Sequence, residues 1–394
     1  MQETDNASCA EADGQCNTCT RHFFWVTGVA ALWAFSMAMY IAPLTPEMIE
    51  RFYSRGLYRL ILGVVAPITG AVPFSIMLGL LFFAPITFLL VWAGNWIYRR
   101  RVLRLSHWRG AAWGPKWLLV VLPILWLWFL LFWGMGYQRV PVEERLAFDL
   151  SEMTDDEVRQ MKDGLLAVIH RDQPEQQADR DVERAVSEIA VAMQAAVMEW
   201  EGRPIQIPRR VKATPPGMLL MNGTSGICAP FTLEPHVDGG LPDTTFVAVA
   251  AHELGHIAGV CDEGETNLLS YIAGLSADDP YARYAVALSA YRRMAGQISE
   301  SRARALERLP EQARNDLKRA SEASQRYRIE WLQTWSWRAY NQYLKSQGVR
   351  EGVRSYGRGT ELLVYALRGG YIALPEAQAM DGVNAQSGSD DAIE

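Results

Sequence analysis

Histidine and dense basic runs are both scarce in this sequence. Only six of the 394 residues are histidines, and acidic residues outnumber Lys and Arg by 44 to 38, which gives a formal net charge of -6. Basic residues are dense in one short loop alone. Proteins that bind nucleic acid carry a basic patch or stripe on the binding face. The composition therefore excludes that class of function.

Long apolar runs are almost absent from most of the chain and abundant only near its N-terminus. Residues 23–42 contain no charge over 20 positions, which is enough to cross a hydrocarbon core of about 30 Å. Residues 77–98 and 117–137 have the same character. We therefore predict a polar tail over residues 1–22 and a transmembrane region with about three spans over residues 23–137.

The first apolar run is predicted to stay in the protein as a span. It is longer than the roughly 7–15 apolar residues of a signal peptide, follows an acidic leader and has no clear small-x-small cleavage site. In the third run, Trp117, Trp133 and Tyr137 suit the aromatic belts found at membrane surfaces.

The one basic loop lies between the second and third predicted spans and contains no acidic residue. The positive-inside rule places this loop in the cytoplasm, so everything after Tyr137 is expected outside it. Residues 57–76 are apolar but are interrupted by Pro67, Gly70 and Pro73. We predict an interfacial or re-entrant segment there instead of a fourth span. The basic residues of the loop are Arg99, Arg100, Arg101, Arg104, Arg109 and Lys116.

The five cysteines fall into two groups. Cys9, Cys16 and Cys19 lie in the polar tail, where Cys16-x-x-Cys19 resembles half of a metal or redox motif. Without a fourth ligand we interpret these residues as free thiols on a disordered tail. Cys228 and Cys261 lie on the outward side, where a disulfide is chemically permitted.

Residues 138–375 are predicted to form a mostly helical domain with a small β-sheet. Thr154 to Glu157 reads as a capping box that starts an early helix, and a second helix is expected over about residues 179–200. Proline-rich extended pieces then give way to further helices after Asp243. Residues 376–394 are rich in Ala, Gly, Ser and Asp, which predicts a disordered tail. The expected fold class is α+β with a large helical excess.

One of these helices carries the pattern typical of a zinc site. His252-Glu253-Leu254-Gly255-His256 is an HExxH motif, in which two imidazoles one helical turn apart hold a metal and the intervening Glu handles protons. Gly259 is predicted to end the helix. With so few histidines in the chain, a pair that flanks a Glu on one helix argues against a chance match.

A catalytic zinc usually takes three protein ligands, and three acids follow the motif. Asp262 suits the N-cap of a new helix, and Glu265, three residues later, suits its capping-box partner. Glu263 has no such structural role, and Asn267 lies one turn further on the same face. We therefore prefer Glu263 as the third ligand, with Asn267 orienting a ligand His, and keep Asp262 and Glu265 as alternatives.

Asp262 has one further argument in its favour. The spacing HExxHxxGxxD is that of metzincins, which also need a Met-turn beneath the metal. The nearest downstream methionine, Met294, sits in a helical pattern without turn residues. The metzincin interpretation is therefore the minority one.

Taken together, these motifs resemble a bacterial family of membrane-anchored, zinc-peptidase-like proteins, the domain-of-unknown-function family 3810. His252 to His256, followed by Glu263-x-Glu265-Thr266-Asn267, is similar to the HExxH and ExEAN signature of that family. The resemblance covers most of residues 23–370. Further matches are Phe132-Trp-Gly-Met-Gly-Tyr-Gln-Arg139, Ala229-Pro-Phe-Thr-Leu-Glu234 and Gly352-Val-Arg-Ser-Tyr-Gly-Arg358.

The resemblance implies a gluzincin relationship, a zincin-like fold for the soluble domain and a place in the bacterial inner membrane. Glu263-x-x-Thr266-Asn267 is similar to the Glu-x-x-Ala-Asp segment that supplies the third ligand in membrane-bound gluzincins. Here Thr266 replaces Ala and Asn267 replaces Asp. An amide can accept the His N–H as the carboxylate would, but without its charge, which lowers the basicity of the ligand.

The resemblance also points to candidates for binding substrate. Tyr356 and Arg358 are expected to stabilise the oxyanion, with Tyr284 and His236 as further candidates. By similarity to zincins, residues 228–234 would form an edge strand that pairs with an extended peptide.

The expected function is that of a membrane-bound zinc peptidase with Glu253 as general base and a peptide or protein as substrate. The alternative is a zinc-binding membrane protein that acts as a sensor or binds a partner without cleaving it. The motif retains Glu253, which metal binding alone would not require, and this favours the enzyme.

Overall fold

The computed structural model describes residues 23–41, 44–104, 106, 113–295 and 302–375. The tails, with Cys16-x-x-Cys19 and the predicted disordered segment, lie outside the described residues, as does part of the basic loop. The described residues divide into two compact units, one formed by those within 1–44 and 78–131 and the other by those within 45–77 and 132–394.

The first unit supplies three helices that are long and apolar enough to cross a membrane. They are Phe23–Ile41 (α1), Ile76–Arg101 (α4) and Trp113–Phe132 (α5), in which the candidate span begins at Pro115. The first two residues of α4 belong to the second unit. The mean hydropathies of their most apolar windows are 1.6, 2.4 and 2.0. The three spans predicted from the sequence correspond to these helices.

The third helix ends earlier than the sequence suggested. Trp133 leaves the helical conformation, and Gly134–Gln138 form a 3-10 turn that belongs to the second unit. Trp133 is 7% exposed. The predicted end of this span at Tyr137 is therefore corrected to Phe132, because Trp133 and Tyr137 lie in the second unit.

The second unit also includes a segment that the sequence analysis assigned to the transmembrane region. Its elements are the short helix Pro46–Met48 (α2), a π-helical stretch Ile49–Leu57 and the helix Tyr58–Ala71 (α3). Tyr58 and Leu62 are 3% and 0% exposed. One face of α3 is therefore part of the core of this unit.

Local capping rules account for where several helices begin. Val142–Arg145 (α6) precedes Asp155–Asp172 (α7), whose N-cap Thr154 and Glu157 form the predicted capping box. Val182–Glu201 (α8) follows with Asp181 as its N-cap.

The sheet has three short strands: Lys212–Thr214 (β1), Gly226–Ala229 (β2) and Glu234–Asp238 (β3). Their order is β1-β3-β2, with β1 parallel and β2 antiparallel to the central β3. β3 is buried along its whole length. β2 is therefore an edge strand with one side free of strand pairing among the described residues. The edge strand predicted over residues 228–234 is corrected, because residues 230–233 form the turn between β2 and β3.

The remaining helices pack around one buried helix. Asp243–Ile257 (α9) carries the HExxH motif and packs on β3, and Glu263–Leu275 (α10) is buried from Glu263 to Gly274. The helix α10 packs against α8 and α9 and against two later helices, α11 and α15. The later helices are Pro280–Met294 (α11), Arg302–Glu307 (α12), Glu311–Tyr327 (α13), Glu330–Ser346 (α14) and Ser355–Arg368 (α15).

Candidate metal centre

A glycine turn brings the two site helices together. The helix α9 ends at Ile257, and Gly259 adopts a φ of +86°, which L-residues rarely tolerate. A Cβ at Gly259 would also lie 2.8 Å from the Tyr58 ring. The positive φ and the close Tyr58 ring both require glycine at this position. The turn at Gly259 lets α10 begin beside the end of α9.

This turn places three potential ligands around one point. One ligand atom from each of His252, His256 and Glu263 lies within 4.8 Å of the others. Glu263 Oε2 is 3.1 Å from His252 Nε2 and 3.5 Å from His256 Nε2. The two imidazoles therefore present the same type of nitrogen to the same carboxylate oxygen.

The second nitrogen of each histidine has its own partner. His252 Nδ1 lies 3.0 Å from Asn267 Oδ1, as expected for the orienting role predicted for Asn267. His256 Nδ1 lies 2.8 Å from the carbonyl oxygen of Val260, a partner that the sequence did not suggest. If each Nδ1 carries the proton and donates it, both Nε2 lone pairs are left for a ligand bond.

Electrostatic coupling within the cluster is strong. Burial alone would lower the pKa of His256, but the charge and hydrogen bond of Glu263 raise it to about 9. Burial likewise opposes ionisation of Glu263, yet the charge of His256 and the hydrogen bonds to both histidines hold the pKa of Glu263 well below its usual range. The pKa of His252 is lowered, chiefly by burial.

The two other acids of the turn have structural partners. Asp262 is the N-cap of α10 and accepts a hydrogen bond from the Glu265 backbone N–H at 3.0 Å, as predicted. Glu265 does not complete a capping box. Its carboxylate instead accepts from the Val142 N–H at 3.1 Å and from Arg145 at 2.8 Å, because a nearby cation and a buried backbone donor compete successfully for it.

Glu253 lies between the two histidines on α9, and one of its carboxyl oxygens lacks a hydrogen-bond partner among the described residues. Its side chain is buried, and Oε2 has no hydrogen-bond partner among the described residues. Burial raises its pKa to about 8. A Cβ at Gly226 would come within 2.5 Å of Glu253 Oε1, so glycine in β2 lets this edge strand approach the carboxyl group.

Aromatic side chains from α14 and α15 surround the cluster. Tyr340 donates a short hydrogen bond from its hydroxyl to Glu263 Oε1. The Tyr356 ring stacks on the His252 ring with centroids 6.2 Å apart and an angle of 16°. Trp337 contacts both tyrosines at ring distances of 6.4 and 6.2 Å. The sequence analysis missed Tyr340 and Trp337, whose helical spacing reads as ordinary packing.

Arg358 has other partners. Its guanidinium lies 3.0 Å from Asp262, the N-cap of α10, and 3.3 Å from Glu143 of α6, so it balances the charge of these two acids. Two further candidates lie in other networks: His236 is 2.7 Å from Ser75 Oγ, and Tyr284 donates to Asp316 at 2.8 Å. Of the four proposed oxyanion donors, Tyr356 is the one in ring contact with the cluster.

The segment after the third apolar helix supports the site from the other side. The Trp133 ring packs on His256 at 5.4 Å between centroids. A Cβ at Gly136 would lie 2.6 Å from Cys261 Sγ, so this position must stay small. Arg139 binds Glu50 and Glu201 at 2.8 Å each.

Cys228 and Cys261 are both buried free thiols, so the permitted disulfide is not formed.

The donor set suits a transition metal. Two imidazole nitrogens and one carboxylate oxygen are ligands of Zn²⁺ in catalytic sites, and other divalent metals accept the same set. Their convergence and the bonds to both Nδ1 atoms fit such an ion, while the geometry alone does not select zinc.

Fold and site together define a class: a mostly helical protein with three helices able to cross a membrane and a buried His-His-Glu cluster on an HExxH helix. The chain belongs to the family described as protein of unknown function (DUF3810), whose model matches residues 53–364. This confirms the family resemblance, and the family description names no activity. Neither a curated protein nor a solved structure gives a significant match.

Proposed function

We propose that the protein is a membrane-bound, zinc-dependent peptidase. The observation that carries this proposal is Glu253, a buried carboxyl group whose Oε2 has no hydrogen-bond partner among the described residues. Leaving such a group unsatisfied costs stability. A site that only binds metal has no use for it, whereas a hydrolase needs a proton acceptor beside its metal.

His252 Nε2, His256 Nε2 and Glu263 Oε2 would hold the ion. A bound Zn²⁺ would polarise the scissile carbonyl and bring the pKa of an attacking water toward about 7. The hydrogen bonds of Asn267 and Val260 to the two Nδ1 atoms keep the imidazoles turned toward the shared point.

Glu253 is the proposed general base and acid. Its ionised Oε2 accepts a proton from the attacking water and then delivers that proton to the leaving amine. A carboxyl group with a raised pKa is suited to both steps, because it takes up and releases a proton near neutral pH.

The edge strand β2 is the proposed site for an extended substrate. Gly226 of β2 packs against Glu253, so a peptide that pairs with the free side of this strand would pass close to the carboxyl group. Tyr356, stacked on His252, is the proposed oxyanion donor. Arg358 has a supporting role in this scheme.

The membrane setting is also part of the proposal. The apolar helices are consistent with a multi-pass protein of the bacterial inner membrane. The basic residues between α4 and α5 favour an extracytoplasmic site by the positive-inside rule. Substrates would then be peptides or proteins outside the cytoplasm.

One observation favours a second candidate, a zinc-binding membrane protein that recognises a partner without cleaving it. Trp331 and Trp335 on α14 are 72% and 66% exposed and lie one helical turn apart. Exposed aromatic pairs are typical of binding surfaces. The same helix carries Tyr340, so a partner on the tryptophans could sense the state of the cluster.

The variant Glu253→Gln separates the two functions. For a peptidase, the variant keeps its zinc and loses hydrolysis of a fluorogenic peptide library by purified full-length protein. Glu199→Gln makes the same chemical change at an exposed position of α8 and serves as the matched control. Absence of hydrolysis in the wild type loaded with zinc would favour the binding protein, and unchanged hydrolysis in the Glu253 variant would contradict the role proposed for Glu253.

A further inference from the structure

The segment from Leu57 to Phe74 has two contrasting faces. One face is part of the core of the second unit, with Tyr58, Leu62 and Ala66 at 3%, 0% and 6% exposure. The spacing of four residues between them places these side chains on one side of α3. The opposite side faces away from the unit.

The outer face of α3 is apolar throughout. Leu60, Val64 and Ile68 are 71%, 63% and 61% exposed and form a stripe at four-residue spacing. Soluble surfaces rarely carry a continuous apolar patch without charges. The exposed residues of this segment are Leu57, Leu60, Val64, Pro67, Ile68, Gly70, Ala71, Pro73 and Phe74.

Specific bonds hold the segment in this orientation. The Tyr58 hydroxyl donates to the Ile257 carbonyl at 2.9 Å, at the end of the HExxH helix. Lys212 Nζ donates to the carbonyls of Thr69 and Phe74 at 2.9 and 2.8 Å. These contacts lie at both ends of α3, so the helix cannot roll to bury its stripe without breaking them.

The apolar face is continuous in sequence with a helix able to span the membrane. Phe74 is 67% exposed and stands two residues before Ile76, where α4 begins. Glu234 accepts hydrogen bonds from the Ile76 and Met77 N–H groups at 3.0 and 2.8 Å. The second unit therefore holds the point at which the chain enters the apolar helix.

The length of α3 determines how it can meet a bilayer. Its 14 residues span about 21 Å at 1.5 Å per residue, which is shorter than the hydrocarbon core of about 30 Å. It also contains Pro67. A short helix with one apolar face and one face packed on protein is suited to lie along the membrane boundary.

From this arrangement we propose that the stripe of Leu60, Val64 and Ile68, with Phe74, docks into the lipid of the bilayer that α4 enters. The helix α3 is thus a second membrane contact of the protein besides its spans. Because Tyr58 contacts Ile257 and Gly259, the docked helix ties the candidate metal centre to the membrane surface. This inference about lipid contact does not depend on the proposed peptidase activity.

Photocrosslinking of the full chain tests the contact directly. The protein is reconstituted in vesicles of phosphatidylethanolamine and phosphatidylglycerol with p-benzoylphenylalanine in place of Val64. Leu89, 55% exposed on α4, is the lipid-facing control position, and Lys318, 75% exposed on the polar helix α13, is the aqueous control. Adducts are identified by mass spectrometry after irradiation.

The expected result is a phospholipid adduct at position 64 in a yield close to that at position 89 and several-fold above that at position 318. A covalent dimer of the chain, or a crosslink from position 64 to a peptide of its own spans, would overturn the proposal. A yield at position 64 as low as at position 318, with lipid labelling at 89, would do the same. Probes at Leu60 and Ile68 repeat the test on the same stripe.

Discussion

Two buried polar clusters lie on either side of the first turn of α10, and they differ in how their charges are satisfied. Glu263 faces the histidines, whereas Glu265, two residues later and about 200° around the helix, faces Arg145. Around Glu265, Arg139 and Arg145 bind the carboxylates of Glu50, Glu201 and Glu265. Around Glu263, a neighbouring carboxyl group has no partner for one oxygen.

The paired cluster joins four parts of the second unit. Arg139 binds Glu50 and Glu201, and Arg145 binds Glu201 and Glu265. The side chains of these residues are less than 10% exposed. Their hydrogen bonds link the start of the unit, the segment after the third apolar helix, α8 and α10. Balanced charge at a helix junction indicates a structural role.

The histidine cluster has the opposite character. Three potential ligands converge on one point, and Glu253 stands beside them without a partner for Oε2. Groups that are left short of partners in a folded core are typical of functional sites. The comparison therefore predicts that changes to the paired cluster alter stability, while changes to the histidine cluster alter metal binding and chemistry.

The largest effect is expected for Arg139→Ala. Removing this cation leaves Glu50 and Glu201 buried with fewer partners, which costs about 3–5 kcal/mol for a buried pair. Chemical unfolding in detergent measures the loss. Arg159→Ala removes an exposed pair with Asp156 and should cost less than about 1 kcal/mol. Equal losses for the two variants would show that the paired cluster has no special structural role.

The hydrogen bonds behind the ligands should have the next largest effect. Tyr340→Phe removes the donor to Glu263 Oε1, and Asn267→Ala removes the partner of His252 Nδ1. Losing such a partner typically weakens metal affinity by about 10–100-fold. Competition with a chromogenic chelator measures this. Tyr98→Phe, at a tyrosine of α4 that is 53% exposed, is the control and should keep the wild-type affinity. An unchanged affinity in Tyr340→Phe and Asn267→Ala would contradict the proposed arrangement.

Asp262→Ala should separate capping from metal binding. Because Asp262 caps α10 through the Glu265 N–H, its loss should cost about 0.5–2 kcal/mol of stability, while bound zinc is retained. Thermal unfolding and elemental analysis on the same sample measure both quantities. Loss of zinc with unchanged stability would instead support the metzincin ligand set.

Stability should also depend on pH through Glu50. Burial opposes ionisation of Glu50, but the hydrogen bond and charge of Arg139 outweigh it and hold its pKa at about 2, against 4.5 for an unperturbed Glu. Its contribution to stability is complete above pH 4.5 and is lost as the pH falls toward 2. Unfolding curves across this range should therefore decline more steeply for the wild type than for Glu50→Gln. Parallel curves would contradict the assignment.

The sequence predicted those features of the site that are determined by residues close to each other in the chain. Short spacings predict the N-cap at Asp262, the end of α9 near Gly259 and the convergence of Glu263 with the two histidines, since all of these residues lie between His252 and Glu265. Tyr340 lies 77 residues from Glu263, and no local pattern marks it.

Tertiary contacts also explain the boundaries that differ. Trp133 belongs to an apolar run by composition, yet its contact with His256 places it in the second unit. Glu265 fits a capping box by spacing, but Arg145 competes for its carboxylate. Arg358, predicted to stabilise the oxyanion, pairs with Asp262 at 3.0 Å, a contact that no local pattern marks. In each case a partner distant in sequence decides the outcome.

The central claim is that His252, His256 and Glu263 together hold one zinc ion. Elemental analysis of purified full-length protein, exchanged into chelator-free buffer, tests it most directly. The account predicts about one zinc per chain in the wild type and in Glu253→Gln, and a sharp loss in Glu263→Ala. A wild-type protein with no stoichiometric transition metal, even after incubation with zinc, would contradict it.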